Sequence, residues 1–248
     1  MELTQSEEKA LRGDGALAMA YRILVATGEA TDAKKLVDVK WAHVSGVNYN
    51  TIGDAGESFL RGLSARVKIM TTLNPMGYDA DSVSRYNLPE EFIKKQESIR
   101  SSYERMGATP SFSCIPYEIF DIPEKGTQVS FAESNAAIHA NSIDGLKTNK
   151  ESAFSALASA ITGKSPWSPD EPAKLTVRMG IQNPTELDFG LLGFYAGKVA
   201  EGPVNISGVS KLDTRSCKSL CGGMGTSGSC SKFTFADGKG TEKVEFGK

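Results

Sequence analysis

Histidine is nearly missing from this chain: 248 residues contain two, His43 and His139. A histidine-rich zinc site or a Ser-His-Asp arrangement would have to draw on one or both, which argues against each chemistry. Cysteine is scarce as well, at Cys114, Cys217, Cys221 and Cys230. A cytosolic chain of this length does not need disulfides to fold, so these thiols read as buried fillers, metal ligands or reactive groups. No apolar run approaches the roughly 20 residues of a membrane-spanning helix. The best candidate, Ala16 to Ala26, is cut by Arg22. Neither sign of charge is in excess: 28 Lys and Arg stand interspersed against 30 Asp and Glu, without the basic stripe of a nucleic-acid-binding surface. The opening residues, Met1-Glu2-Leu3-Thr4-Gln5-Ser6-Glu7-Glu8, are acidic and polar, unlike a secretory signal. There is no Walker motif, and Gly53-Asp54-Ala55-Gly56 is too short and wrongly spaced for a dinucleotide fingerprint. These absences exclude membrane, secreted, disordered and collagen-like classes. They predict a cytoplasmic globular protein with neither nucleic acid nor membrane as partner.

Glycine is plentiful, with 25 residues, many in short polar loops where backbone must bend or approach a ligand closely. Thr4 with Glu7 forms a capping box that predicts a first helix. A second follows Asp14, with Leu17, Tyr21 and Leu24 on one face and Gly28 as its expected C-cap. Leu36 to Val44 reads as a strand, Asp54 as the cap of a helix with Phe59, Leu60 and Leu63 inward, and Val67 to Met70 as a short strand. Pro89 suits the first turn of a helix that Gly107 ends. Segments near 111–115 and 127–132 read as strands, Ser152 to Thr162 as a small-residue helix and Leu175 to Met179 as a strand. Glu186 to Val199 and Leu212 to Ser229 read as helices. Strands alternating with helices predict an α/β fold with largely parallel sheet. The loop Gly163 to Pro172, with three prolines, divides an expected first region, 1–163, from a second, 173–248.

Four predicted strands run into polar clusters: Ser45-Gly46-Val47-Asn48-Tyr49, Thr71-Thr72-Leu73-Asn74-Pro75, Ser113-Cys114-Ile115-Pro116-Tyr117 and Glu133-Ser134-Asn135. Ligands of open parallel sheets bind outside the carboxyl ends of the strands, so four such clusters predict one polar pocket if the strands are neighbours. Each cluster alone is equally a turn. Glu133 at a strand end must reach solvent, pair with a cation or bind a ligand, because burying it unpaired is costly. Cys114, also at a strand end, reads either as a buried structural thiol or as a metal or cluster ligand. Cys217 and Cys221 lie one helical turn apart and Cys230 follows, but the spacing matches no common ligand run. The small residues around them favour filler thiols over a zinc or iron–sulfur site. His43, on an apolar strand, and His139, on a small-residue helix, read as hydrogen-bonded core residues.

His43-Val44-Ser45-Gly46, the run Asn48 to Gly56, Thr71-Thr72-Leu73-Asn74-Pro75, Ser113-Cys114-Ile115-Pro116-Tyr117, Ala132-Glu133-Ser134-Asn135-Ala136, Ala140-Asn141-Ser142, and Ala156-Leu157-Ala158 with Ile161-Thr162-Gly163 follow one another along the chain. In order and spacing they resemble the aconitase X family, from Leu3 to about Phe235. Thr72 to Asp79 is similar to the archaeal branch, whereas the bacterial, hydroxyproline dehydratase-type branch usually lacks the Asn-Pro. The resemblance implies an aconitase-like layered α/β/α fold. It also implies a hydro-lyase of isoprenoid biosynthesis, converting (R)-5-phosphomevalonate to trans-anhydromevalonate 5-phosphate and water. It implies an iron–sulfur cluster, [4Fe-4S], that acts as Lewis acid on the hydroxyl. Cys114 is then one of three thiolate ligands. Gly46, Val47, Asn48, Asn74, Pro75, Glu133 and Ser134 match positions that contact the phosphorylated hydroxy-acid substrate. The catalytic base is not assigned.

The family's large subunit continues past Lys248, and the two other cluster cysteines and a substrate-contacting lysine lie in that continuation. The chain is therefore expected to be a fragment, a truncated product or half of a split subunit, acting with a small swivel-domain subunit. Asp144 to Asn149 and Glu151 to Phe154 depart from the family's usual stretches. A non-catalytic remnant or assembly module of the same fold is the alternative. A small metal-binding protein using Cys217, Cys221 and Cys230 is a third.

Overall fold

The structure, a computed structural model, describes residues 1–167, 169–209, 212–228, 230–236 and 241–247. The chain divides into two compact units. One comprises 1–123, 127–133 and 151–168, the other 124–126, 134–150 and 169–248.

The first unit begins with α1 (Gln5–Leu11), whose N-terminus carries the expected Thr4–Glu7 capping box, and α2 (Gly15–Ala30). Gly28 does not end α2. A Cβ there would meet the Met1 sulfur at 2.6 Å, so the glycine serves a close packing contact and the helix continues to Ala30. The apolar run from Leu36 is two strands, because the chain changes sheets at Val39 and Lys40. β1 (Leu36–Asp38) pairs antiparallel with a later strand, Lys164–Pro166, and β2 (Trp41–Val44) enters a parallel sheet. α3 (Tyr49–Gly62) starts earlier than expected, capped by Asn48 rather than Asp54. Gly53, at φ 60° and ψ −165°, breaks it in a backbone region open essentially to glycine alone, and Asp54 begins the portion beyond.

β3 (Met70–Leu73) lies three residues later than the predicted strand. Val67 and Lys68 give their N–H groups to the carbonyls of Met106 and Ala160 instead of to a strand, so the ladder starts at Met70, opposite Trp41. α4 (Glu90–Met106) ends, as the sequence indicates, at a left-handed Gly107. Residues 111–115 form no strand. Phe112 sits at φ 42°, which breaks the extended run, and a short 3-10 turn follows at Pro116–Glu118. β4 (Ser130–Phe131) completes the parallel sheet in the order β3-β2-β4. In the second unit, α5 (Ser134–His139) continues as a π-turn over Ala140–Asp144. The chain then returns to the first unit for α6 (Ala153–Thr162), capped by Ser152, and β5 (Lys164–Pro166), the partner of β1. The core of this unit gathers Leu24, Val44, Leu60, Leu73, Ile99, Tyr103, Met106 and Leu157.

The rest of the second unit is a parallel sheet of order β8-β7-β6-β9. It comprises β6 (Leu175–Met179), β7 (Val204–Ser207), β8 (Phe233–Phe235) and β9 (Glu242–Phe246). α7 (Glu186–Val199) matches the predicted helix, and α8 (Thr214–Ser227) lies within the predicted span, whose last residue, Ser229, is outside the described residues. The two helices pack backbone to backbone. A methyl group at Gly193 would run into the Leu220 carbonyl, and one at Gly223 into the Gly190 carbonyl. A glycine-rich helix survives here because its small residues admit that approach, which offsets a propensity cost of about 1 kcal/mol per glycine. Cys217, Cys221 and Cys230 belong to the apolar core beside Val177, Phe189, Leu192, Ile206 and Leu220.

Candidate active site

The parallel sheet of the first unit brings together the carboxyl ends of β2, β3 and β4. Register pairs Val44 with Leu73 and His43 with Phe131, so 45–48, 74–75 and 132–133 leave the sheet side by side. The fourth cluster is held there without being a strand. Ser111 Oγ accepts from the Leu73 N–H and donates to the Leu73 carbonyl, both at 2.9 Å, and the Ser113 N–H reaches that carbonyl at 3.2 Å.

The ends at 45–48 and 74–75, with Cys114, open on a cavity of about 900 Å³ lined by Gly46, Val47, Asn48, Asn74, Pro75 and Cys114. Ile23, Ile52, Phe59 and Phe154 supply an apolar wall, and Ser45, Thr51 and Ser152 further polar edges. The left-handed turn at Gly46, φ 77°, sits so close to α6 that a Cβ would meet that of Ala153 at 2.8 Å. Among the described residues, the backbone N–H groups of Gly46, Val47 and Asn48 make no hydrogen bond. Those of Tyr49, Asn50, Thr51 and Ile52 are taken by Gln96, by the Asn48 side chain and by the Asn48 carbonyl. The free donors of this turn therefore precede α3 rather than lying in its first turn.

Asn74 donates its amide to Glu133, while its own Oδ1 is buried without a partner. Glu133 does not line the cavity. It stands behind Asn74, and burial raises its pKa against the lowering effect of the amide. Burial, with the Glu133 charge added, also raises the Cys114 thiol. Ser134 is not among the lining residues and opens α5 of the second unit. His43 lies beneath the site, fully buried, with Nδ1 2.9 Å from Thr72 Oγ1.

Gln96 is a positioning residue that the sequence shows only as one position on a helix face. From α4 it accepts from the Tyr49 and Gly77 N–H groups, each at 3.1 Å, and donates to the Val47 carbonyl at 2.6 Å. One buried amide thus fixes both loops of the cavity rim, and a glutamine amid helical polar residues gives no local signal of that.

The donor set for a metal centre is small. Cys114 is the one cysteine lining the cavity, and no group of three His, Cys, Asp or Glu among the described residues converges as a metal would need. An iron–sulfur cubane with an open iron takes three thiolates, so Cys114 fits it as a single ligand.

Residues 1–168 match the model of the aconitase X first domain, and residues 173–245 that of the aconitase X second domain. The chain belongs to the aconitase X family. Its aconitase X relatives include the phosphomevalonate dehydratase large subunit of Methanothermobacter thermautotrophicus, 36% identical across 98% of this chain and 63% of the relative. The corresponding large subunit of Thermococcus kodakarensis is 37% identical across 94% of this chain and 61% of its own length. The cis-3-hydroxy-L-proline dehydratase of Pseudomonas aeruginosa is 32% identical across 88% of this chain and 39% of its own. The crystal structure of Thermococcus kodakaraensis aconitase X in its holo-form superposes with a TM-score of 0.88, at 32% identity, covering 99% of this chain and 67% of that one. The chain thus spans somewhat less than two thirds of the length of the large subunits it matches. Its α/β character with parallel sheets is that of an aconitase X. Among the described residues, no helix is long and apolar enough to cross a membrane.

Proposed function

We propose that this chain carries the substrate-binding part of a hydro-lyase that dehydrates (R)-5-phosphomevalonate to trans-anhydromevalonate 5-phosphate, working with a small swivel-domain subunit in the cytoplasm. The observation that carries the reading is the rim of the cavity: Gly46, Val47 and Asn48, whose backbone N–H groups make no hydrogen bond among the described residues, line it together with Asn74, whose buried side-chain oxygen has no partner. Backbone donors without a partner suit an anionic oxygen, and a lone amide acceptor suits a hydroxyl. A phosphorylated hydroxy acid offers both.

Each residue has a task in that reading. The turn at 46–48 receives a phosphate or carboxylate. Pro75 limits the freedom of the loop that carries Asn74, and Asn74 takes the substrate hydroxyl while Glu133 holds its amide in place. Ser134 follows Glu133 directly and contacts substrate as the family resemblance implies. The wall of Ile23, Ile52, Phe59 and Phe154 keeps water from the rest of the molecule. Cys114 would hold an iron–sulfur cluster as one of its ligands. Bound there, the cluster supplies a Lewis acid for the departure of a hydroxyl that is otherwise a poor leaving group. The proposed division of the polypeptide follows the loop Gly163 to Pro172, with substrate binding in 1–163.

The test is calorimetric titration of the chain, with and without a small subunit, using (R)-5-phosphomevalonate and, in parallel, cis-3-hydroxy-L-proline. The phosphorylated acid is expected to bind, and Asn74→Ala to weaken it several-fold, the loss of a neutral hydrogen bond worth about 0.5–1.5 kcal/mol. Preference for the hydroxyproline, or an Asn74→Ala variant that binds like the parent, defeats the proposal.

A further inference from the structure

The cavity of the first unit is larger and more apolar than the proposed substrate uses. Its volume of about 900 Å³ lies toward the upper end of the range, about 300–1,000 Å³, of sites that hold drug-sized ligands. (R)-5-Phosphomevalonate is a short acid whose only apolar branch is a methyl group. Among the described residues that line the cavity, none carries a carboxylate, an ammonium or a guanidinium group. Ile23 of α2, Ile52 and Phe59 of α3 and Phe154 of α6 form its apolar wall.

Each of these four side chains is only partly covered by the protein. Ile23, Ile52 and Phe59 rest on the core of the unit, and Phe154 is braced edge-on against Phe59, with ring centroids 5.1 Å apart. The wall is closed behind. Beyond Ile23, Phe59 and Phe154, the recess between α2, α3 and α6 has about 10 Å³ of free space, room for no more than one water. Apolar side chains left partly bare inside a concave site, on a firm backing, are a surface that a ligand completes. The wall adjoins the turn at 46–48: Ile52 Cγ2 lies 3.2 Å from where a Cβ of Gly46 would stand. That turn has three successive N–H groups without a hydrogen bond among the described residues, and the left-handed Gly46 gives it the form of an anion-binding nest. The Glu133 carboxylate stands behind Asn74, so an anionic head belongs at the turn.

We propose that the cavity binds amphiphilic phosphomonoesters, with the phosphate on the turn at 46–48 and an alkyl tail laid over Ile23, Ile52, Phe59 and Phe154, and that such a ligand excludes the phosphorylated hydroxy acid. The placement of the head rests on the anion site of the proposed function, and that of the tail on the wall alone. With no cationic side chain in the lining, the head is held by backbone donors and the affinity grows with the tail. Each methylene moved from water onto apolar surface is worth about two- to fourfold in affinity. The closed recess stops the tail from running on between the helices, so the gain ends once the wall is covered.

The test is calorimetric titration of the whole chain with inorganic phosphate, butyl phosphate, octyl phosphate and 1-octanol, each below the concentration at which it self-associates. Octyl phosphate is expected to bind at one site per chain, more than about tenfold tighter than butyl phosphate or 1-octanol, with inorganic phosphate weakest. It should also displace (R)-5-phosphomevalonate. Phe154→Asn, which puts an amide into the wall, should bring the octyl-to-butyl ratio below about threefold. The length series in the parent chain decides the matter if that variant does not fold. Butyl and octyl phosphate binding alike, 1-octanol binding as well as octyl phosphate, or octyl phosphate and (R)-5-phosphomevalonate bound together overturns the proposal. The two readings fail separately. Length-dependent binding of the alkyl phosphates without binding of (R)-5-phosphomevalonate supports the amphiphile site and removes the hydro-lyase substrate. Binding of (R)-5-phosphomevalonate without length dependence does the reverse.

Discussion

Thr72 is a small residue with a large share of the work beneath the cavity. Its hydroxyl accepts from Trp41 Nε1 at 2.9 Å and meets His43 Nδ1 at 2.9 Å, so two bulky side chains of β2 are oriented by one side chain of β3. His43 Nε2, on the far side of the ring, has no hydrogen-bond partner among the described residues. Burial accordingly pushes the ring down to about 4, against weaker upward effects of Ser113 and Thr72. The sign of the consequence is fixed. Below about 6.5 the unfolded chain takes up a proton at this residue that the folded chain refuses, so stability falls as the pH drops from there toward 4. Urea unfolding should show the first unit losing about 2 kcal/mol between pH 7 and pH 5 through this residue. His43→Gln should flatten that part of the profile; an unchanged slope in the variant would show that the ring is not the group responsible.

Among the elements, α7 and α8 owe their contact to what their side chains lack. Gly190 and Gly193 on one helix face Gly223 and Leu220 on the other, with carbonyl groups where Cβ atoms would otherwise stand. Gly193→Ala would force the Leu220 backbone aside and should destabilise the second unit by about 1–3 kcal/mol, the range for overpacking, although alanine is the better helix former. Thermal unfolding followed by circular dichroism checks this, and a variant as stable as the parent would mean the helices part without cost. The glycines of α8 were legible as small-residue packing, yet its partner was not, since no local pattern says which helix another will meet. The same distinction runs through the first unit. The Thr4–Glu7 capping box and the left-handed Gly107 are local chemistry, and the ends they mark are where the sequence puts them. The break at Val39, the late start of β3 and the missing strand at 111–115 are decided by which sheet or helix end receives each N–H. That information is spread over distant parts of the chain.

For the molecule as a whole, the cavity at 45–48, 74–75 and 114 draws its lining from the first unit alone. A ligand bound there should protect that unit selectively. At about 100 times the dissociation constant it adds roughly 2.7 kcal/mol to the unit that binds it. Hydrogen exchange with (R)-5-phosphomevalonate present should therefore slow amides of β2, β3 and α6 and leave β6, β7 and α8 unchanged. Equal slowing in both sets would place the ligand elsewhere. The convergence of the ends at 45–48 and 74–75 was legible, because polar clusters after apolar runs survive errors of a few residues in the strands themselves. Neither the Gln96 amide nor the Ser111 clasp on Leu73 was legible, since each depends on side chains that meet only after the chain has folded. Gln96 ties the turn before α3 and the loop after β3 to a single side chain of α4. The two edges of the cavity are thereby yoked: a displacement of α4 carries both at once, so the site widens or narrows as a unit and not loop by loop.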